Sequence, residues 1–263
     1  MENRKSILKC DNISISFGGL KAVNGFNLDV KEGDLIGLIG PNGAGKTTVF
    51  NMLSGVYSPT EGSIFLDGES VGGLGVYKVS QKGVSRTFQN IRLFDYLSVI
   101  DNVKLAMNQD MRYNVISGML RLKSYWQEER EATKRALEIL KILDLQSYAN
   151  DSAGNLPYGA QRKLEIARAI ATNPKLLLLD EPAAGMNAIE TEALMDTIRM
   201  IRDKYKLAIV LIEHDMKLVL GICERLLVLN HGIVIAEGNP REVVKKEEVV
   251  SAYLGSGYGG DNA

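Results

Sequence analysis

Apolar and polar residues alternate along residues 7–17 and again along 26–30, the two-residue period of strands buried on one face. Residues 34–40 follow as a short apolar strand running into a glycine-rich turn, and a helical stretch covers about 46–53. The cluster Ser58, Pro59, Thr60, Glu61 and Gly62 reads as a turn, and residues 63–66 as another strand. The pattern then changes. Residues 101–145 contain few Gly or Pro, and 127–143 are rich in Glu, Lys, Ala and Leu, which favour helix. This predicts a helical subdomain inserted between two halves of an α/β core.

The α/β pattern resumes with the four leucines 176–179 and the apolar run 207–212, alternating with helical segments. Continuous apolar runs of this kind suit parallel strands covered on both faces. Residues 226–229 and 233–236, separated by Asn230, His231 and Gly232, predict a hairpin. The glycine-rich stretch 255–263 predicts a frayed tail. Val115, Met119, Leu122 and Trp126 share one helical face. Two readings stand for that face: packing within the helical subdomain, or docking a membrane partner.

Composition narrows the function classes. With 263 residues, 45% hydrophobic and 24% charged, the chain has the profile of a globular protein with a sizeable core. Lys and Arg total 31 against 32 Asp and Glu, so no basic excess announces a nucleic-acid partner. Residues 1–9 are polar and charged, without an apolar signal segment. No run approaches the length of about 18 apolar residues that a spanning helix needs, so work at a membrane would rely on partners. Cys10 and Cys223 share no metal or redox spacing and read as buried thiols.

Gly40, Pro41, Asn42, Gly43, Ala44, Gly45, Lys46 and Thr47 fit the pattern G-x-x-x-x-G-K-[ST] in full, with an apolar strand before and a helix after. Glycines let backbone N–H groups converge on phosphate oxygens, and the helix N-terminus adds partial positive charge. The expectation is a P-loop binding ATP, with Lys46 on the β- and γ-phosphates, Thr47 on Mg²⁺ and Thr48 on the α-phosphate. The run 176–179 ends in Asp180, Glu181 and Pro182. Neighbouring side chains at a strand end point opposite ways, so one carboxylate suits a Mg²⁺ shell (Asp180) and the other a base that polarises the attacking water (Glu181). Alone, such a pair would read as solvated charges capping a strand; after a P-loop, the catalytic reading takes precedence.

The P-loop, the acidic pair and three further segments stand in the order and approximate spacing of ABC-type ATPases, and the chain resembles that family over nearly its whole length. The resemblance implies an α/β fold: a P-loop NTPase cassette with a parallel-sheet ATP-binding core, an antiparallel β region and an inserted helical subdomain. It implies the division 1–98 and 172–240 for the core, 99–171 for the helical subdomain with the signature loop, and 241–263 for a C-terminal helix and flexible tail. Phe88, Gln89 and Asn90 resemble the Q-loop, where Gln89 senses Mg²⁺ and water and the loop beyond touches a transmembrane subunit. His214, within Ile212–Asp215, resembles the switch histidine. Phe17 stands where the family stacks a ring on adenine, and a plain core aromatic is the other reading. His231 is assigned no role.

Leu156 to Gln161 occupies the place of the signature Leu-Ser-Gly-Gly-Gln, with Gly159 kept, Pro157 for serine, Tyr158 for the first glycine and Ala160 for glutamine. Proline lacks both serine donors. Asn187 stands where the D-loop usually has aspartate. Both departures bear on how this chain completes an opposite ATP site. They also resemble one subfamily. Tyr158 and Gly159 with the following Gln161 to Ala169, Glu181 to Asn187, Leu211 to Met216, and Val250 to Gly255 are similar to ATPases of branched-chain amino acid importers. An exporter ATPase for lipid-linked envelope material shares some of these segments.

The implied assembly is a head-to-tail pair of cassettes: this chain and a second, different ATPase subunit, a homodimer being the alternative in isolation. Two transmembrane permease subunits and, indirectly, an extracytoplasmic substrate-binding protein complete it, without nucleic acid. The implied location is cytoplasmic, on the inner face of the cell membrane. A soluble non-transport ABC ATPase and a nucleotide-binding module without turnover are the other classes; the intact Lys46, Asp180, Glu181 and His214 argue against the second.

Overall fold

Twelve residues of alternating character, Ser6–Phe17, form β1, and β2 follows over Leu20–Lys31. The structure is a computed structural model that describes residues 4–107 and 123–254. β1 and β2 join β4 (Glu61–Leu66) and β5 (Glu69–Ser70) in an antiparallel sheet of order β2-β1-β4-β5. Leu8, Cys10, Ile13 and Ile15 point into its buried side, while Lys9 and Ser16 stay exposed. β2 starts earlier than the alternation at 26–30 suggests, because Leu20 to Val23 pair with the end of β1 although Leu20 and Lys21 are exposed.

The second sheet has the order β10-β9-β3-β8-β7-β6. β6 (Val84–Arg86), β7 (Leu176–Asp180), β8 (Ala208–Ile212), β3 (Leu35–Ile39) and β9 (Arg225–Asn230) are parallel, and β10 (Ile233–Gly238) returns antiparallel as the expected hairpin. Every residue of β3, β7 and β8 is buried. The period of two divides these uniform apolar runs between two cores. Leu177, Leu179, Ile209 and Leu211 enter the core shared with the helical region. Leu176, Leu178, Val210 and Ile212 enter the core between the two sheets. At about 25 cal/mol per Å² of apolar surface removed from water, these two faces are the main stabilisation of the α/β part.

The helices follow the expected stops and starts. α1 (Lys46–Leu53) opens from the glycine turn, and α2 (Val76–Gln81) precedes β6. Ser98 caps α3 (Val99–Ala106) by accepting from the Asp101 N–H. α4 (Lys123–Ile142) and α5 (Tyr158–Ala171) pack with α3 through Val103, Ala136, Ile139, Leu140 and Leu164. Asn187 and Glu190 form a reciprocal capping box on α6 (Ala188–Tyr205). Asp215 caps α7 (Met216–Ile222), and Asn239 with Pro240 opens α8 (Pro240–Val243), before α9 (Glu247–Leu254). The apolar face through Val115, Met119 and Leu122 lies outside the described residues, as does the tail 255–263; Trp126 is half exposed. No described helix is long and apolar enough to cross a membrane.

The carboxyl ends of β3, β6, β7 and β8 lie along one edge of the parallel sheet. This is the edge where α/β sheets place their ligand crevice.

Candidate functional site

The loop after β3 is built around backbone conformations that a side chain would spoil. Gly40 has φ +151°, and a Cβ there would lie 2.0 Å from the Leu229 carbonyl oxygen. Gly45 has φ +104°, and its Cβ would lie 2.9 Å from the Ala22 carbonyl oxygen. The loop therefore follows β2 and β9 closely and enters α1 with its N–H groups free to converge. A cavity of about 470 Å³ opens over it. Its walls are Asn42 to Thr48, Leu20, Lys21 and Ala22 on one side and Gln89, Glu181 and His214 on the other. Lys46 is almost fully buried, with Nζ donating to the carbonyls of Gly40 (2.8 Å) and Pro41 (2.9 Å). Burial lowers its proton affinity, and the charges of Glu181 and Asp180 oppose that shift.

Three strand ends meet at Glu181. Its Oε1 is 2.8 Å from Nε2 of His214, which follows β8, and its Oε2 accepts from Gln89 Nε2 at 2.9 Å. Glu181 sits at φ +48°, a left-handed conformation rare outside glycine and concentrated at functional sites. Its N–H donates to the Ile212 carbonyl. Glu213 is buried and ties the same corner together, accepting from the N–H groups of Ala183 (2.7 Å) and His214 (3.0 Å). Burial raises the Glu213 pKa above 4.5, against the effect of the backbone donors.

Asp180 is buried, and Arg86 binds its Oδ2 at 2.7 Å. Its backbone N–H donates to Thr87 Oγ1. Thr47 at the first turn of α1 and Gln89 wall the cavity with a hydroxyl and an amide, while the buried Asp180 carboxylate is not among the walls but acts on Lys46 through its charge. Mg²⁺ keeps waters and takes phosphate oxygens, so it needs only such a sparse protein set. No group of three His, Cys, Asp or Glu suited to a metal occurs among the described residues. The donor set fits.

The segment around Phe88 and Gln89 is clamped from α5. Arg162 donates to the carbonyls of Phe88 (2.8 Å) and Gln89, and Glu165 accepts from the Phe88 N–H at 3.0 Å. Both side chains are buried and paired with each other at 3.2 Å. Desolvation raises the Glu165 pKa despite this partner. Beside this clamp a second cavity of about 450 Å³ lies between the sheet and the helical region, walled in part by Phe88, Arg92, Leu105, Glu165 and Arg168.

Not every candidate from the sequence reaches the P-loop cavity. Phe17 is half exposed at the end of β1 and meets Tyr57 edge-on, with ring centroids 5.2 Å apart. It is not among the residues walling the cavity, although its cross-strand partner Leu20 is. Gly159 lies in the first turn of α5, where a Cβ would stand 3.1 Å from Glu190 Oε1. Tyr158 beside it covers Gly185. Conversely, His231 walls the cavity, held at φ +46° on a hairpin tip whose Gly232 N–H donates to the Ala44 carbonyl. Arg86, Arg162, Glu165 and Glu213, to which the sequence pattern gives no individual role, also shape the site. Arg86 ends β6, directly before Thr87, Phe88 and Gln89.

Comparison with known proteins agrees with this geometry. Residues 23–184 match the family described as ABC transporter. The chain is 46% identical over 251 residues to the high-affinity branched-chain amino acid transport ATP-binding protein BraF of Pseudomonas aeruginosa, covering 95% of this chain and 98% of that one. It is 45% identical over 249 residues to the similarly described LivG of Escherichia coli K12, covering 95% and 98%. Identity to the lipopolysaccharide export system ATP-binding protein LptB of Haemophilus influenzae is 33% over 254 residues, covering 96% and 99%. Among solved structures, the ADP conformation of an ATP-binding cassette of an ABC transporter superposes with a TM-score of 0.83 at 30% identity, covering 95% of this chain and 99% of that one.

Proposed function

The chain belongs to the ABC transporter family, and on that premise we propose that it hydrolyses ATP to energise the import of branched-chain amino acids across the cytoplasmic membrane. The observation that carries the enzymatic reading is the carboxylate of Glu181, hydrogen-bonded to Gln89 and His214 across the cavity from the P-loop. In this reading the P-loop N–H groups and Lys46 bind the phosphates, and Thr48 contacts the α-phosphate. Thr47, Asp180 and Gln89 would hold Mg²⁺, which would supply positive charge against the phosphates. Glu181 accepts the proton of the attacking water, and His214 and Gln89 orient that carboxylate. Leu20 walls the side where the adenine would lie, and Phe17, its cross-strand partner, would stack on the ring from just outside the cavity.

The partners belong to the same proposal. Gly159 and the start of α5 would face the nucleotide of a second cassette, a different ATPase subunit or another copy of this chain. Two permease subunits would seat against the Q-loop side, where Phe94 is half exposed and Tyr96 fully so. The chain would work on the inner face of the membrane, with an extracytoplasmic binding protein delivering the substrate. The higher identity to the amino acid transport relatives than to the export relative supports import over lipid export.

The test is uptake of radiolabelled leucine, with proline as comparison, in native cells carrying Glu181→Gln and lacking redundant importers. Leucine uptake lost with proline uptake kept supports the proposal. If both persist, the substrate reading fails and lipid export is tested next.

A further inference from the structure

Arg86 ends β6 beside Leu178 of β7, and its side chain is buried between three parts of the site. Nη2 binds Asp180 Oδ2 at 2.7 Å, while Nη1 reaches Asn51 Oδ1 at 2.6 Å and Ser54 Oγ at 3.3 Å on the helix that begins at the P-loop. The guanidinium lies 5.5 Å from the Phe50 ring centroid and 5.4 Å from that of Phe88, the residue before Gln89. Its edge also forms part of the wall of the cavity between sheet and helical region.

This is more than charge neutralisation. A lysine would supply a compact charge with no fixed plane, whereas the planar fork of arginine meets Asp180 and Asn51 at once. Two neighbouring groups of β6 and its extension act on one residue: Thr87 Oγ1 accepts from the Asp180 N–H, and Arg86 engages the Asp180 carboxylate. One carboxylate oxygen is thereby committed to a partner that is itself tied to α1, and the rotation of the group is set relative to the P-loop helix. Partners that orient a metal's ligand in this way commonly control its affinity.

We propose that Arg86 is a positioning residue for the metal, holding the Asp180 carboxylate in register with α1 and linking it to the Q-loop through Phe88. The inference rests on the reading of Asp180 as a Mg²⁺ ligand.

The test is the binding of Mn²⁺, followed by electron paramagnetic resonance, to the purified full chain saturated with a non-hydrolysable imido analogue of ATP. Arg86→Met raises the half-saturating Mn²⁺ concentration about 10- to 100-fold. Binding of the same analogue in EDTA is unchanged, a split that a general loss of structure would not produce. Arg86→Lys falls between Arg86→Met and wild type, because it keeps the charge but cannot bridge Asp180 and Asn51 together. If Arg86→Met does not fold, the lysine variant carries the test alone. A wild-type Mn²⁺ affinity in a folded Arg86 variant, while Asp180→Asn weakens it, overturns the role of Arg86. A wild-type affinity in Asp180→Asn overturns the metal reading of Asp180 itself.

Discussion

His214 Nε2 lies 2.8 Å from Glu181 Oε1, while the other oxygen of that carboxylate takes a hydrogen bond from Gln89. The carboxylate is therefore oriented from both sides by residues on separate strand ends. Replacing it with an amide keeps the shape and removes the proton acceptor. Glu181→Gln is expected to lower ATP turnover about 100- to 10,000-fold in the assembled transporter, with nucleotide binding retained. Phosphate release together with analogue binding checks both halves, and unchanged turnover would remove Glu181 from the base role.

Glu213 supports this corner from below, through the Ala183 and His214 N–H groups. Glu213→Ala leaves buried donors unpaired and should cost about 3 kcal/mol, read by urea unfolding. The pH dependence follows from the direction of its shift. Burial raises its folded pKa above 4.5, so the folded chain binds more protons in that window than the unfolded chain. The stability it contributes is full below pH 4.5 and is lost as pH rises through the folded value. The advantage of wild type over Glu213→Gln should shrink in the same direction across an unfolding series from pH 4 to 8.

Arg162 and Glu165 hold the backbone of Phe88 and Gln89 from one helix turn and are buried together. Removing one partner strands the other charge, so Arg162→Ala should destabilise the chain by about 3–5 kcal/mol. Amide exchange at Phe88 should accelerate beyond the global change. Protection of that amide at the wild-type level, relative to global stability, would show that the clamp is not needed.

The P-loop glycines are not equivalent. Gly40→Ala drives a Cβ to 2.0 Å from a carbonyl oxygen, whereas at Gly43 (φ +78°) an added Cβ meets nothing within 4 Å. Gly43→Ala should cost only the left-handed penalty of about 1–2 kcal/mol. Gly40→Ala should cost clearly more and weaken nucleotide binding through displacement of the loop. Thermal unfolding and analogue titration of the two variants side by side decide this, and equal losses would contradict the close approach at Leu229.

Much of this protein is written in local patterns. The apolar runs 176–179 and 207–212 read as doubly covered strands because both faces of a central strand are buried, and they are β7 and β8. The hairpin around Asn230, His231 and Gly232 was legible for a similar reason: a turn needs particular residues at adjacent positions. The P-loop, Asp180 and Glu181 were visible as short segments, since backbone shape and strand ends are encoded over a few residues, whereas Gln89 and His214 stood out only through the resemblance to a family. Their meeting was not visible. Glu181 and His214 are 33 positions apart, and Gln89 and Glu181 are 92 apart, so their hydrogen bonds depend on the strand order β3-β8-β7-β6. No local periodicity specifies which parallel strand lies beside which. Arg86, Arg162, Glu165 and Glu213 were invisible for the same reason, because a charge on an isolated strand or helix reads as solvated until its partner is known. Chain-local chemistry is enough to declare a phosphate-binding α/β enzyme. Which carboxylate is paired, which is buried, and which side chain of β1 or β2 walls the cavity follow from long-range packing, where desolvation and hydrogen bonding between distant segments set the outcome.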